Sequence, residues 1–343
     1  MTKFFATGLT ILPFLFAGVI PATAADTINA AGATFPAPIY QKWFEEYKAT
    51  HPTVQINYQP IGSGGGITQL QKGTVDFGAS DMPMTDEQIK ATIDQQKTKP
   101  LHFPTVMGAV VMSYNIPGVT AKLKFSPDTL AGMYLGTIAK WNDRKIAADN
   151  PGVSLPDKNV EIIHRSDGSG TTFVFTDYLS KVSPEWKSKV GANASVSWPV
   201  GLGGKGSDGV EGLIKQTPNS IGYVELIYAV NNKMAFADVK NAAGKVVAPS
   251  FESVTEAAAN SKEMPDDFRV SITNAPGDKS YPISTFTWML VPTDIKDPAK
   301  KKAITEFLAW MLTTGQKDAQ PLSYAPLPKA IVGKVQAQIK LIK

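Results

Sequence analysis

The feature that most restricts the fold of this chain is the regular exchange of two periodicities along it. Alternating or apolar runs suited to strands give way to runs with the helical repeat of apolar residues. "TINAAG" (27–32) leads into "PAPIYQKWFEEYKAT" (36–50), where Ile39, Trp43 and Tyr47 recur at helical spacing. Pro36 stands near that helix start, where a missing N–H is harmless. "VQINYQPI" (54–61) predicts a strand, "ITQLQKG" (67–73) a short helix, and "VDFGASD" (75–81) a strand ending in a polar turn. "TVMGAVVMSYNI" (105–116) predicts a long apolar strand, and "SPDTLAGMYLG" (126–136) a helix capped by Ser126 and closed by Gly136. Strand "NVEIIH" (159–164) precedes helix "TTFVFTDYLSKV" (171–182), and strand "SVSWPV" (195–200) precedes helix "DGVEGLIKQ" (208–216). Strand "ISTFTWMLVP" (283–292) precedes two last helices, 297–315 and 327–340. This order predicts α/β architecture with mostly parallel sheets. A chain of 343 residues suggests two domains. No Gly/Ser or Pro-rich linker separates them, so strands or short hinges are expected to cross between them.

The first 24 residues are of different material. Lys3 is followed by an apolar stretch, Phe4 to Ile20, and then by Pro21-Ala22-Thr23-Ala24, which has the A-x-A form of a cleavage site. Residues 1–24 are expected to be a secretory signal peptide, cut after Ala24. The chain has no cysteine, which excludes disulfides, thiolate metal sites, cysteine nucleophiles and a lipid-modified N-terminal cysteine. An exported protein without an anchor fits a periplasm closed by an outer membrane. The formal net charge of +4 is too mild to indicate nucleic acid, and no dense Lys/Arg block occurs.

Three loops share one chemistry: "AGATFPAP" (31–38), "IGSGGGIT" (61–68) and "SDGSGTTF" (166–173). Each follows a predicted strand, consists largely of Gly, Ser and Thr, and runs into a helix. Such a junction offers free backbone N–H groups, the positive end of a helix dipole and short hydroxyl donors. A single loop of this kind is explained by helix capping. Three together point to one anion held jointly, in the place where doubly wound sheets bind ligands. Competing motifs fail or are weak. Walker A needs Ser or Thr after its lysine, and Lys205 is followed by Gly206. "GLGGKG" (201–206) matches a lone dinucleotide pattern, with Glu225 at about the right distance, but a single match in a glycine-rich chain carries little weight. No nucleophile elbow occurs, and His51, His102 and His164 form no zinc motif. No catalytic residue, metal or cofactor is expected.

Five segments, "AAGATFPAPIY" (30–40), "NYQPIGSGGG" (57–66), "TVDFGASDMP" (74–83), "RSDGSGTTFVFTDYL" (165–179) and "WPVGLGGKGSDGV" (198–210), resemble the periplasmic phosphate-binding proteins of high-affinity phosphate ABC importers. "IGYVELIYA" (221–229) is similar too, so the resemblance runs over essentially the whole chain after the leader. It implies a two-lobed periplasmic-binding-protein clamshell of type II, with mixed, mostly parallel sheets flanked by helices and a hinge of crossing segments. One lobe would comprise about 25–106 plus 283–343, the other about 107–282. The implied ligand is inorganic phosphate between the lobes. The implied contacts are Thr34, Phe35, Ser63, Asp81, Arg165, Ser169, Gly170 and Thr171, with Asp167 supporting Arg165. Gly64 departs from the pattern, since relatives often carry another Ser there; Ser63 beside it carries the implied contact. The implied partners are the membrane subunits of an ABC permease with a cytoplasmic ATPase, and the protein is expected to be a monomer.

Within that set Asp81 stands apart. By sequence it suits equally a turn or a helix cap. By resemblance it accepts the phosphate O–H and faces proton-free sulfate with an unpaired buried acceptor. Arg165 is the only full positive charge expected at the site, and Asp167, two residues on, offsets much of it.

Overall fold

The computed structural model describes residues 1–3, 26–261 and 263–343. The predicted signal peptide and its cleavage site lie outside the described residues, apart from the first three. Among the described residues no helix is long and apolar enough to cross a membrane.

Strands and helices exchange along the chain as the periodicities require. The strands are β1 (Asp26–Gly32), β2 (Val54–Pro60), β3 (Phe77–Ser80), β4 (Pro100–Asn115), β5 (Lys124–Phe125) and β6 (Glu161–Arg165). They continue with β7 (Leu202–Gly204), β8 (Ser220–Glu225), β9 (Ala235–Phe236), β10 (Asp238–Lys240), β11 (Val246–Val247) and β12 (Ser284–Pro292). The main sheet has the order β2-β1-β3-β12-β4-β8-β6-β7, with β9 also on β4. A second, three-stranded sheet has the order β11-β10-β5. Parallel pairs form the outer parts of the main sheet, β2-β1-β3 on one side and β8-β6-β7 on the other. Antiparallel β4 and β12 lie between them. The class is α/β, with mixed sheets flanked by helices.

β4 organises the molecule. Fifteen of its 16 residues are buried, which a nearly unbroken apolar run allows. Its first part, Pro100–Ala109, pairs with β12, and its second, Val110–Asn115, pairs with β8. The same strand therefore carries the chain from one half of the sheet to the other. The β4–β12 register slips between Thr287 and Trp288, opposite Pro104 and Val106. A proline has no N–H for the ladder, so a bulge is the conformation that accommodates it. The Thr105 hydroxyl donates there to the Thr287 carbonyl at 3.2 Å.

One predicted element is corrected. Residues 195–200 form no strand; the neighbour of β6 is β7, inside the glycine-rich loop that follows. Trp198 stacks on His164 and Tyr223, with ring centres 4.8 and 5.8 Å apart, so the apolar alternation there serves an aromatic cluster. β7 approaches the next helix so closely that a Cβ on Gly204 would lie 2.6 Å from the Gly209 carbonyl carbon. Several boundaries moved; at the loops, the second helix begins at Ser63 and the sixth at Gly170.

Candidate functional site

The glycine loops meet because each ends a strand of the same sheet and starts a helix. After β1 the chain turns through Thr34 and Phe35 into the helix Ala37–Thr50. After β2, Gly62 with φ of +88° admits the helix Ser63–Lys72. After β3 the next residue is Asp81, and after β6 Ser169 caps the helix Gly170–Val182 by accepting from Thr172 N at 3.1 Å. Thr34, Phe35, Ser63, Asp81, Arg165, Ser169 and Thr171 are all at most 4% exposed.

The loops touch directly. Gly64 N donates to Gly168 O at 2.8 Å, and Asp81 N donates to Ser63 Oγ at 3.1 Å. A Cβ on Gly170 would fall 2.4 Å from Ser63 Oγ and 2.6 Å from Asp81 Cβ, so the helix start is pressed against the opposite loops. Phe35 is held by its ring against Tyr324 and by the Tyr324 hydroxyl, which donates to its carbonyl at 2.6 Å. What Phe35 can offer a ligand is therefore backbone.

Arg165 is engaged on every side. Nε donates to Asp167 Oδ1 at 2.8 Å and Nη2 to Oδ2 at 2.6 Å, a two-pronged pair. Nη1 donates to the hydroxyls of Thr34 at 3.1 Å and of Thr171 and Ser207 at 3.3 Å. Asp167 also accepts from Gly206 N at 2.9 Å. Burial opposes the charge on Asp167, but the bonds from Arg165 outweigh it and hold the carboxyl below its ordinary value. The guanidinium is thus fixed in place and largely offset, which leaves local dipoles to receive an anion.

Asp81 is in the opposite condition. Thr287 Oγ1 donates to its Oδ1 at 2.7 Å, and Ser63 Oγ lies 3.5 Å from Oδ2. Burial first, and the charge of Glu225 second, raise its pKa to about 8 from the ordinary 3.8. The folded protein then binds one proton more than the unfolded chain between about pH 4 and 8, so stability falls as pH rises through that window. Against an Asp81→Asn variant, thermal melts from about pH 5 to 9 should show wild type losing ground until about pH 8 and then running level. A gap that stays constant across that range contradicts this.

Three further residues stand in the cluster that the sequence patterns did not single out for it: Ser207, Thr287 and Glu225. Ser207 directly follows the G-x-G-x-x-G stretch, whose glycines carried the signal away from it. Thr287 looks like one more residue of an apolar strand. Glu225 had drawn notice only for its spacing from those glycines.

Residues 17–314 match the PBP superfamily domain. The phosphate-binding protein PstS of Xylella fastidiosa (strain Temecula1) is 46% identical over 92% of this chain and 85% of its own. PstS of Pasteurella multocida is 45% identical over 96% of this chain and 94% of its own. A high-affinity periplasmic phosphate-binding protein, PfluDING, solved with phosphate, superposes with a TM-score of 0.73 at 21% identity, over 91% of this chain and 93% of that one. A putative phosphate ABC transporter substrate-binding protein from Clostridium perfringens, with bound phosphate, gives 0.64 at 17% identity, over 88% and 100%. Fold and buried cluster fit one class: a substrate-binding protein of the periplasmic-binding-protein fold. Within that class, the chain belongs to the PstS phosphate-binding protein family.

Proposed function

We propose that this protein captures inorganic phosphate outside the cytoplasm, closes around it, and delivers it to the membrane subunits of an ABC permease driven by a cytoplasmic ATPase. The observation that carries the reading is the buried cluster itself: one arginine already forked by Asp167, hydroxyl and N–H donors around it, and the Asp81 carboxyl on its edge. In this reading Thr34, Phe35, Ser63, Arg165, Ser169, Gly170 and Thr171 bind the anion and Asp81 reads its proton. The two lobes are 25–106 plus 283–343 and 107–282, joined through β4 and the segment before β12. Residues 1–24 act as a cleavable leader, and the mature monomer works in the periplasm. It catalyses no reaction; release of phosphate from an ester by the pure protein would argue for a hydrolase instead.

Selectivity follows from proton bookkeeping. An ionised Asp81 closed into a dry cleft needs a proton nearby, as its pKa of about 8 expresses. Phosphate brings one on its own oxygen. Sulfate brings none, so Asp81 must keep its own proton, at a cost that grows as pH rises past about 8. Above about pH 8, Asp81→Asn should therefore raise sulfate affinity by about 10- to 100-fold, the worth of about 1–3 kcal/mol, and alter phosphate affinity less. In wild type, sulfate should compete better at about pH 6 than at about pH 9.5, on the two sides of the Asp81 titration. Competition calorimetry reads both; sulfate competition that is the same in wild type and variant removes Asp81 from this role. Deletion of the gene should abolish high-affinity phosphate uptake, and the protein should leave cells in an osmotic-shock fraction.

A further inference from the structure

Glu225 ends β8 beside the cluster and takes no part in the function proposed above. It is 1% exposed. Its Oε1 accepts from Thr171 Oγ1 at 2.5 Å, and its buried Oε2 has no hydrogen-bond partner among the described residues. The charged and titratable groups around it are Arg165 on β6, Asp81 after β3, Tyr228 three residues beyond it, and Tyr324 from the C-terminal region. Arg165 makes no direct ion pair with it: Nε and Nη2 go to Asp167 and Nη1 to the hydroxyls of Thr34, Thr171 and Ser207, so its charge reaches Glu225 only at a distance. Thr171 lies between the two: its oxygen accepts from Arg165 Nη1 at 3.3 Å while its proton goes to Glu225. A hydroxyl has a single proton to give. Held by Glu225, Thr171 has none for a bound anion.

We infer that Glu225 is an affinity-limiting residue of the cleft: its carboxylate competes with the bound anion for the Thr171 hydroxyl and repels the anion, and so promotes release. The inference rests on the binding of phosphate in this cleft. Its chemistry differs from that of Asp81. Asp81 touches the ligand proton and sets the ratio between phosphate and sulfate. Glu225 acts through Thr171 and through charge, both of which bear on either oxyanion, so it sets the level of both. The closeness of the two carboxyls is also expressed in the contribution of Glu225 to the raised proton affinity of Asp81. For a protein that must surrender its cargo, a like charge at the bottom of the site is a means of keeping the dissociation rate high.

Glu225→Gln keeps the shape and removes the charge; Glu225→Met keeps the approximate volume and removes the acceptor as well. Stopped-flow and calorimetric titration with inorganic phosphate and with sulfate should give about tenfold or more tighter binding of both anions in either variant, mainly through slower dissociation. A variant that binds both anions more weakly makes Glu225 a structural support and overturns the inference. Unchanged affinities overturn it too, as does a shift confined to sulfate, which would make Glu225 a second reader of the proton. If wild type itself fails to bind phosphate, the functional reading fails instead, and the two failures are told apart in one experiment.

Discussion

Replacing Arg165 with Ala is expected to lower phosphate affinity by about 10²- to 10³-fold and to destabilise the protein as well. Its side chain is 1% exposed and holds two bonds to Asp167 and one each to Thr34, Thr171 and Ser207. Removal leaves Asp167 partly buried without its partner, and breaking a buried pair from one side costs about 3–5 kcal/mol. It also removes the group that ties the β1 loop, the helix at Gly170 and the helix at Gly206 into one cluster. Lysine should not rescue it, because a single ammonium cannot reproduce the planar fork toward Asp167 together with the three hydroxyl contacts. Calorimetry and thermal melts read the two effects separately. A variant that keeps phosphate affinity within about tenfold removes Arg165 from the centre of the site.

Gly170→Ala should have a comparable effect on binding and a different one on stability. The added methyl would sit 2.4 Å from Ser63 Oγ, 2.6 Å from Asp81 Cβ and 2.6 Å from Asp81 Oδ2. Ser63 and Asp81 lie on the far side of the cleft in the proposed lobe division, so the overlap exists only when the lobes are closed. Alanine is at home in a helix, where glycine costs about 1 kcal/mol relative to it. The ligand-free open protein should therefore melt no lower than wild type. Binding that needs closure should weaken by about 100-fold, because overpacking costs about 1–3 kcal/mol and the residues it displaces are themselves site residues. Loss of stability without loss of affinity would mean that the contact belongs to the fold rather than to closure.

These two positions also show where sequence reasoning was strong. The clustering of Gly, Ser and Thr at strand-to-helix junctions is a local property, set by caps, turns and close approach, and it marked the three loops; the resemblance singled out Thr34, Ser63, Ser169, Gly170 and Thr171 within them, and these lie buried together. The Arg165–Asp167 pair was legible for the same reason, because its members are two residues apart. Thr287 and Glu225 were not legible in this way. Each reaches the cluster through sheet order, β12 beside β3 and β8 beside β6, which no short window contains. The misplaced strand at 195–200 has a related origin: alternation reports which faces are apolar, and here the apolar face meets aromatic rings rather than a neighbouring strand. Asp81 lay between. Its position after β3 suited a turn residue, and only complete burial and the nearby charge of Glu225, acting against the hydrogen bonds from Thr287 and Ser63, give it a raised proton affinity.

The central claim is that the buried cluster binds phosphate and chooses it over sulfate. The most direct measurement is isothermal titration of the mature, phosphate-stripped protein at about pH 8, first with sulfate and then with phosphate. The account predicts saturable binding of one phosphate per chain, undiminished by prior sulfate at equal concentration. No heat with phosphate, or equal binding of the two anions, would contradict it.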